Sequence, residues 1–490
     1  MNNAALFIMQ ETTFVSNLII FNKLYERSKI MLSLVQSINS VMWGPILITL
    51  LCGTGILYTF RLKFIQVRKF GTAWKMLFKN FSLSGKKSEK GEMTPFQAIS
   101  TAIAAQVGTG NITGAATALI SGGPGAIFWM WVSAFFGMST IYAEATLAQN
   151  YKTVDEDGHV TGGPVYYIRQ AFKGKFGKVL AALFAVFITL ALGFMGIMVQ
   201  SNSISSAFTE AFNARGISFS PLVCGIILAV VAAFIFIGGT KRLSAVVEKV
   251  VPFMAVIYIA GNLILLILNA SAIPKAFKMI FVCAFKPQSM LGGAVGISIQ
   301  QAIRYGVARG LFSNEAGMGS TPHAHARATA KTPHDQGLIA MASVFIDTFI
   351  ILTLIALSML CTGALDSGKT GTALSQQAFI NTFGSGGDLF IAICLLFFAF
   401  STILSWHFFG SINVKYLFGK GAIKIYSLIV VCCIITGSML KVDLVWELAD
   451  FFNGLMVIPN VIALLALSGV VVAINKSAQL NKTDRLDDNK

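Results

Sequence analysis

Charge is scarce along this chain. Asp, Glu, Lys and Arg together make up 12% of its 490 residues, about half the share of a soluble domain. That scarcity excludes a soluble globular protein. Cysteine is scarce as well: there are seven, only Cys432 and Cys433 are adjacent, and no spacing suits a disulfide framework or a zinc site. They read as small packing residues. No amino-terminal stretch carries a convincing signal-peptide cleavage site. The few polar groups inside apolar stretches form no nucleophile–base or metal constellation, which argues against a membrane enzyme.

What is abundant is apolar sequence. Hydrophobic residues fill 55% of the chain, and the mean hydropathy is +0.72. Apolar runs of about 20 residues recur, the length that crosses a bilayer as a helix. Eleven spans are expected, over 41–60, 94–120, 124–149, 179–207, 219–237, 248–269, 289–314, 337–362, 388–410, 424–440 and 450–474. Residues 1–30 read as an atypical extension, since Ala4 to Met9 is too short to span and Lys23, Arg27 and Lys29 follow. "MLSLVQSINSVMWGP", from Met31, looks like a more natural start of translation. The expected organisation is the extension 1–30, a first span with a basic loop over 31–93, a ten-helix core over 94–475, and a tail over 476–490.

The formal net charge of +16 invites a nucleic-acid partner. Its distribution argues against one. With eleven spans, loops on one side hold 26 Lys or Arg and those on the other hold nine, three of them in the extension. Basic residues collect in cytoplasmic loops. The bias therefore predicts a multi-pass protein of the cell membrane with a cytoplasmic C-terminus and its N-terminus outside.

Two spans are abnormal. The second carries "QVGTGNITG" at 106–114 between the apolar flanks "TPFQAISTAIAA" and "AATALISGG". The seventh, "GGAVGISIQQAIRYGVARGLFSNEAGMGS", carries Gly296, Gln300, Gln301, Arg304, Gly306, Arg309 and Gly310. They hold equivalent places in two five-span halves and cross in opposite directions. Paired interrupted helices in inverted halves point to the binding site of a secondary transporter. Gly108, Gly110 and Gly114 nearly spell a dinucleotide fingerprint, but that motif needs a preceding strand, and these flanks are membrane helix. Close helix packing through small residues is the rival explanation. Gln106, Thr109, Asn111 and Thr113 weigh against it, because their polar groups need partners in hydrocarbon. Unwound there, the chain frees amides suited to a carboxylate, and carbonyls that can replace the water around a small cation.

Longer stretches carry a family resemblance: "TPFQAISTAIAAQVGTGNITGAATAL", "GGPGAIFWMW", "GGPVYYI", "GGTKRLSAVVEKVVPFMA", "RYGVARGLFSNEAGMGSTPHAHA", "VFIDTFIILT" and "FAFSTILSWHFFG". From about Met31 to the last span the chain resembles the alanine or glycine:cation symporters. That resemblance implies a LeuT-type fold, with spans two to eleven as a five-plus-five inverted core. It implies uptake of alanine or glycine, driven by co-transported Na⁺, with no bound cofactor. It further implies that Thr109, Gly110 and Asn111 hold the substrate, helped by Gln200, with Trp406 and Gly306 as pocket walls. The Val107 carbonyl with Ser401 and Thr402 would hold one Na⁺, and Asp347 with Asn111 a second. The chain departs from the family at Ser405, where glycine is expected, and at Ser411, where glutamate is expected. Ser405 adjoins Trp406 and so bears on side-chain selectivity.

Bland alternatives stand beside these roles. Gln200 can bond a neighbouring backbone, and Trp406 can belong to an interfacial belt. Asp347 can pair with Arg304 or Arg309, and serine and threonine hydroxyls can bond back to their own helix. Glu144 reads as a salt-bridge or gate residue. His323, His325 and His334, in "STPHAHARATAKTPHD", read as a solvated loop rather than a metal cluster. A proton-coupled amino-acid transporter is the nearest functional alternative, and an ion channel a more distant one.

Overall fold

A computed structural model describes residues 29–79, 92–286, 298–440 and 443–487. Apart from a hairpin pairing Thr153–Val154 with Val160–Thr161 and an isolated bridge between Met93 and Ala328, regular structure among them is helical. The helices that build and flank the core begin with Lys29–Arg61 (α1), Pro95–Gln106 (α2), Ala115–Gly122 (α3), Gly125–Asn150 (α4) and Gly174–Asn213 (α5). Pro221–Ile237 (α6), Gly239–Leu268 (α7), Ile299–Asn314 (α8), Pro322–Arg327 (α9) and Pro333–Cys361 (α10) follow. The chain continues through Gly371–Phe418 (α11), Ala422–Met439 (α12), Asp443–Ala466 (α13) and Ser468–Asp487 (α14).

Among the described residues, eight helices are long and apolar enough to cross a membrane: α1, α4, α5, α7, α10, α11, α12 and α13. Eleven spans were expected, and the three others have separate physical explanations. The second is broken into α2 and α3. The fifth, α6, has 17 residues. The seventh begins within 287–297, outside the described residues, as do Gly296 and all but the last two residues of the extension 1–30. Those two, Lys29 and Ile30, open α1.

Local sequence sets the helix starts beside the site. Thr94 and Gln97 form a reciprocal capping box ahead of α2, with Pro95 at its first position. Ser298 and Gln301 do the same for α8. Lipid-facing positions are apolar and bare: on α6, Val230, Phe234 and Ile237 are all exposed. The centre of α11, by contrast, is buried from Ser401 to Val414.

Two expectations are corrected here. The seventh span is not interrupted at Gly306 or Gly310; α8 runs through both to Asn314. A Cβ on Gly306 would meet Trp129 Cβ at 2.7 Å, and one on Gly310 would meet Ser133 Oγ at 2.9 Å. These glycines let α8 lie close against α4. The helix instead ends at Glu315, which takes a left-handed φ of 57°, and Gly317 (φ 87°) and Gly319 (φ 82°) continue the loop. The histidines are not solvated either. His323 and His325 are fully buried and His334 nearly so. His323 Nδ1 lies 2.7 Å from the Ser320 carbonyl, His325 Nδ1 2.7 Å from Gln336 Nε2, and His334 Nδ1 2.7 Å from the Tyr142 hydroxyl. Burial pushes His323 down to about 4 and His325 to about 3, so both are neutral. The polar stretch folds back into the bundle rather than out of it.

Candidate substrate and cation site

The chain leaves α2 at Val107 (φ −86°, ψ 84°) and resumes in a wide π-helical turn, Gly110–Gly114, before α3. Asn111 ties this break together. Its Oδ1 accepts the Gly108 N–H at 3.1 Å, and its Nδ2 donates to Asp347 Oδ1 at 2.7 Å and to the Asp347 carbonyl at 3.3 Å. From α5, Gln200 Oε1 accepts the Thr109 N–H at 3.2 Å. The Thr109 hydroxyl is buried with no hydrogen-bond partner among the described residues. Leaving such a group unmet costs about 1–3 kcal/mol, so the break carries an unsatisfied hydroxyl.

Asp347, on α10, is fully buried. Besides Asn111 it accepts from Ser313 Oγ at 3.1 Å to each oxygen and from Thr348 Oγ1 at 2.8 Å. Among the described residues these donors are all neutral. Pairing with an arginine is not what occurs: Arg309 bonds Asp450 at 2.9 Å, and no ion pair links Asp347 to Arg304. A buried carboxylate with only neutral donors is short of positive charge.

The hydroxyls of α11 divide. Thr402 Oγ1 bonds the Ala104 carbonyl at 2.7 Å as well as the Phe398 carbonyl of its own helix at 3.0 Å, and a Cβ on Gly108 would sit 2.5 Å from this hydroxyl oxygen. Only a glycine lets the break approach Thr402 so closely. Ser401 Oγ bonds back to the Phe398 carbonyl at 2.9 Å and faces Met254 Sδ at 3.5 Å, on the side of α7. Trp406 is buried; its Nε1 donates to Glu315 Oε1 at 2.8 Å, and a Cβ on Gly196 would lie 2.5 Å from its ring. Gly110 packs on Ser313, whose Cα would lie 3.2 Å from an added Cβ. The cluster thus gathers Val107, Thr109, Gly110, Asn111, Gln200, Asp347 and Thr402. Trp406 is set beside α5 and the Glu315 loop, and Gly306 stands apart on the α4 interface.

Three residues missed in the sequence belong to this architecture. Ser313 bridges α8 to Asp347. Glu315 takes the Trp406 N–H on one oxygen and the Ser320 hydroxyl, at 2.6 Å, on the other. Asn460 joins Glu144: the Glu144 carboxylate accepts the N–H groups of Gly317 and Gly319, each at 2.9 Å, and Asn460 Nδ2 at 2.7 Å. Glu144 therefore grips the loop after α8 through neutral donors, not through a salt bridge. An acid among glycines, "NEAGMGS", was the available signal for that loop.

The bundle is similar to the solved structure of MhsT in complex with L-phenylalanine, with a TM-score of 0.55 at 14% identity over 79% of this chain and 99% of that one. That likeness shows the fold: an all-α polytopic membrane protein related to the LeuT fold. A helix broken deep in such a bundle, with amides, hydroxyls and a carboxylate turned onto the break, is the architecture of a secondary-active transporter. The chain belongs to the sodium:alanine symporter family, whose model matches residues 28–489. It is 42% identical to the sodium/alanine symporter AgcS of Methanococcus maripaludis, over 91% of this chain and 96% of that protein. It is 42% identical to the probable sodium/glutamine symporter GlnT of Bacillus subtilis, over 88% and 87% respectively. An uncharacterized transporter of Haemophilus influenzae is 41% identical over 91% and 95%. The family couples Na⁺ to the movement of small neutral amino acids, and the chain is a carrier rather than an enzyme.

Proposed function

We propose that this protein takes up alanine, and glycine with it, together with Na⁺, by alternating access at the break between α2 and α3. The observation that carries this reading is the meeting of Asn111, Asp347 and Gln200 on one unwound segment. The amides and the free hydroxyl of Thr109–Asn111 receive the zwitterion, with Gln200 setting the Thr109 amide. Trp406 closes the pocket around a small side chain. One Na⁺ sits between the break and α11, at the Val107 carbonyl with Thr402 and Ser401; a second offsets the Asp347 charge beside Asn111. Sodium organises the unwound backbone and so raises affinity for the amino acid. The arrangement is eleven spans with a five-plus-five inverted core, and the basic loops and C-terminus are cytoplasmic. The charge bias of the loops supports this orientation, and the names of the alanine and glutamine carriers support the substrate class.

The test is uptake into proteoliposomes with a panel of labelled amino acids. Asn111→Ala should lower Na⁺-driven alanine uptake to background at normal membrane abundance. Normal uptake by that variant would refute the site. Replacing Na⁺ with choline at fixed pH should abolish uptake by the unaltered protein; persistence would assign the coupling to protons.

A further inference from the structure

A second site lies where the hairpin, the start of α7 and the end of α11 meet, around a cavity of about 570 Å³. Phe408, Ser411 and Lys415 line it from α11. Phe408 is two turns beyond Ser401 on the same face of that helix, roughly 10 Å along the axis. The same helix thus carries Thr402 of the central cluster and one wall of the cavity.

The cavity also receives Arg327, which is only 6% exposed. Its guanidinium lies over the Phe408 ring, 5.5 Å from the centroid. Its Nε has no hydrogen-bond partner, and the side chain forms no ion pair among the described residues. Three acids line the cavity: Asp155, whose charge also acts on Arg327, and Asp157 are held by lysines, and Glu156 forms no ion pair with Arg327. Asp155 and Asp157 each bond Lys415 Nζ at 2.8 Å, and Asp157 also bonds Lys420 at 2.7 Å. A buried cation left unpaired is costly, and guanidinium stays charged and presents a fork that matches a carboxylate.

We propose that this cavity is an inner oxyanion site, in which Arg327 takes the carboxylate of the amino acid after it leaves the central break. The proposal rests on the transport reading and orientation given above. Ser411 stands one helical turn past Phe408 on the cavity wall, so Ser411→Glu would give Arg327 a carboxylate of its own and close the site.

The test is alanine exchange by the full-length protein in oriented membrane vesicles, read separately from each side. Arg327→Gln and Ser411→Glu should each raise the internal alanine concentration for half-maximal exchange by about tenfold or more. The external half-saturation should stay within about twofold. Should Arg327→Gln fail to reach the membrane, Ser411→Glu carries the test alone. Unchanged internal affinity in a variant that still transports overturns the proposal. So does competition by internal inorganic phosphate that Ser411→Glu removes without altering internal alanine affinity, for then the site takes free phosphate. Absence of Na⁺-driven uptake by the unaltered protein would be a failure of the transport reading instead.

Discussion

Trp406 owes its place to two small facts about its neighbours: a carboxylate on Glu315 that fixes its N–H, and a missing side chain at Gly196. Gly196→Ala would put a methyl group where the ring now lies and force the indole inward. Uptake of alanine should then fall several-fold more than uptake of glycine, because the lost space is the space for a side-chain methyl. Parallel uptake assays of the two amino acids check this, and equal losses would remove Trp406 from the selectivity wall. The residues of the break itself were legible because Thr109, Asn111 and Gln106 are polar groups in a run that cannot leave them unmet. Ser313 was not, since a lone serine near a helix end carries no signal until the fold lays it against Asp347. The same holds for Arg327, whose lack of a partner is a fact about packing.

Among the elements, the sequence spoke clearly where a break is made of glycine plus polar side chains, and ambiguously where glycine stands alone. Gly108 and Gly110 accompany an unwound segment; Gly306 and Gly310 sit in an intact helix and serve close packing against α4. Both patterns are rich in glycine, so composition cannot separate them. The true end of α8 lies at Glu315, and its loop is held by Glu144 from α4. A glutamine at 144 keeps one carbonyl oxygen to accept with, leaving the Gly317 or the Gly319 amide unmet. Glu144→Gln should therefore destabilise the protein by about 1–3 kcal/mol. A lowered midpoint of thermal unfolding in detergent checks this. An unchanged midpoint would mean that the loop stands without the grip. The same loop carries His323 and His325 inward, which explains why a stretch so polar in sequence is buried in the bundle.

At the scale of the whole molecule, composition and hydropathy reached the class of protein, because a chain this apolar has few ways to satisfy its backbone other than as membrane helices. The difference between eleven expected spans and eight long helices lies in helices that are broken, short or only partly described. One of the short ones has a mechanical consequence. The 17-residue α6 packs against the 18-residue α12, which makes them about 25 and 27 Å long. A typical hydrocarbon layer is about 30 Å thick. Arg242 folds back to bond the Phe234 carbonyl at 2.6 Å, drawing the charged boundary inward along that edge. Lipid beside this pair must shorten to meet it, at a fraction of a kcal/mol per Å of mismatch. Reconstitution into bilayers of increasing acyl-chain length should accordingly show transport falling as the membrane thickens, and a flat dependence would contradict it. The carrier would then tune itself to its surroundings through one compressed rim, with the thickness of the bilayer acting as a load on the rocking bundle.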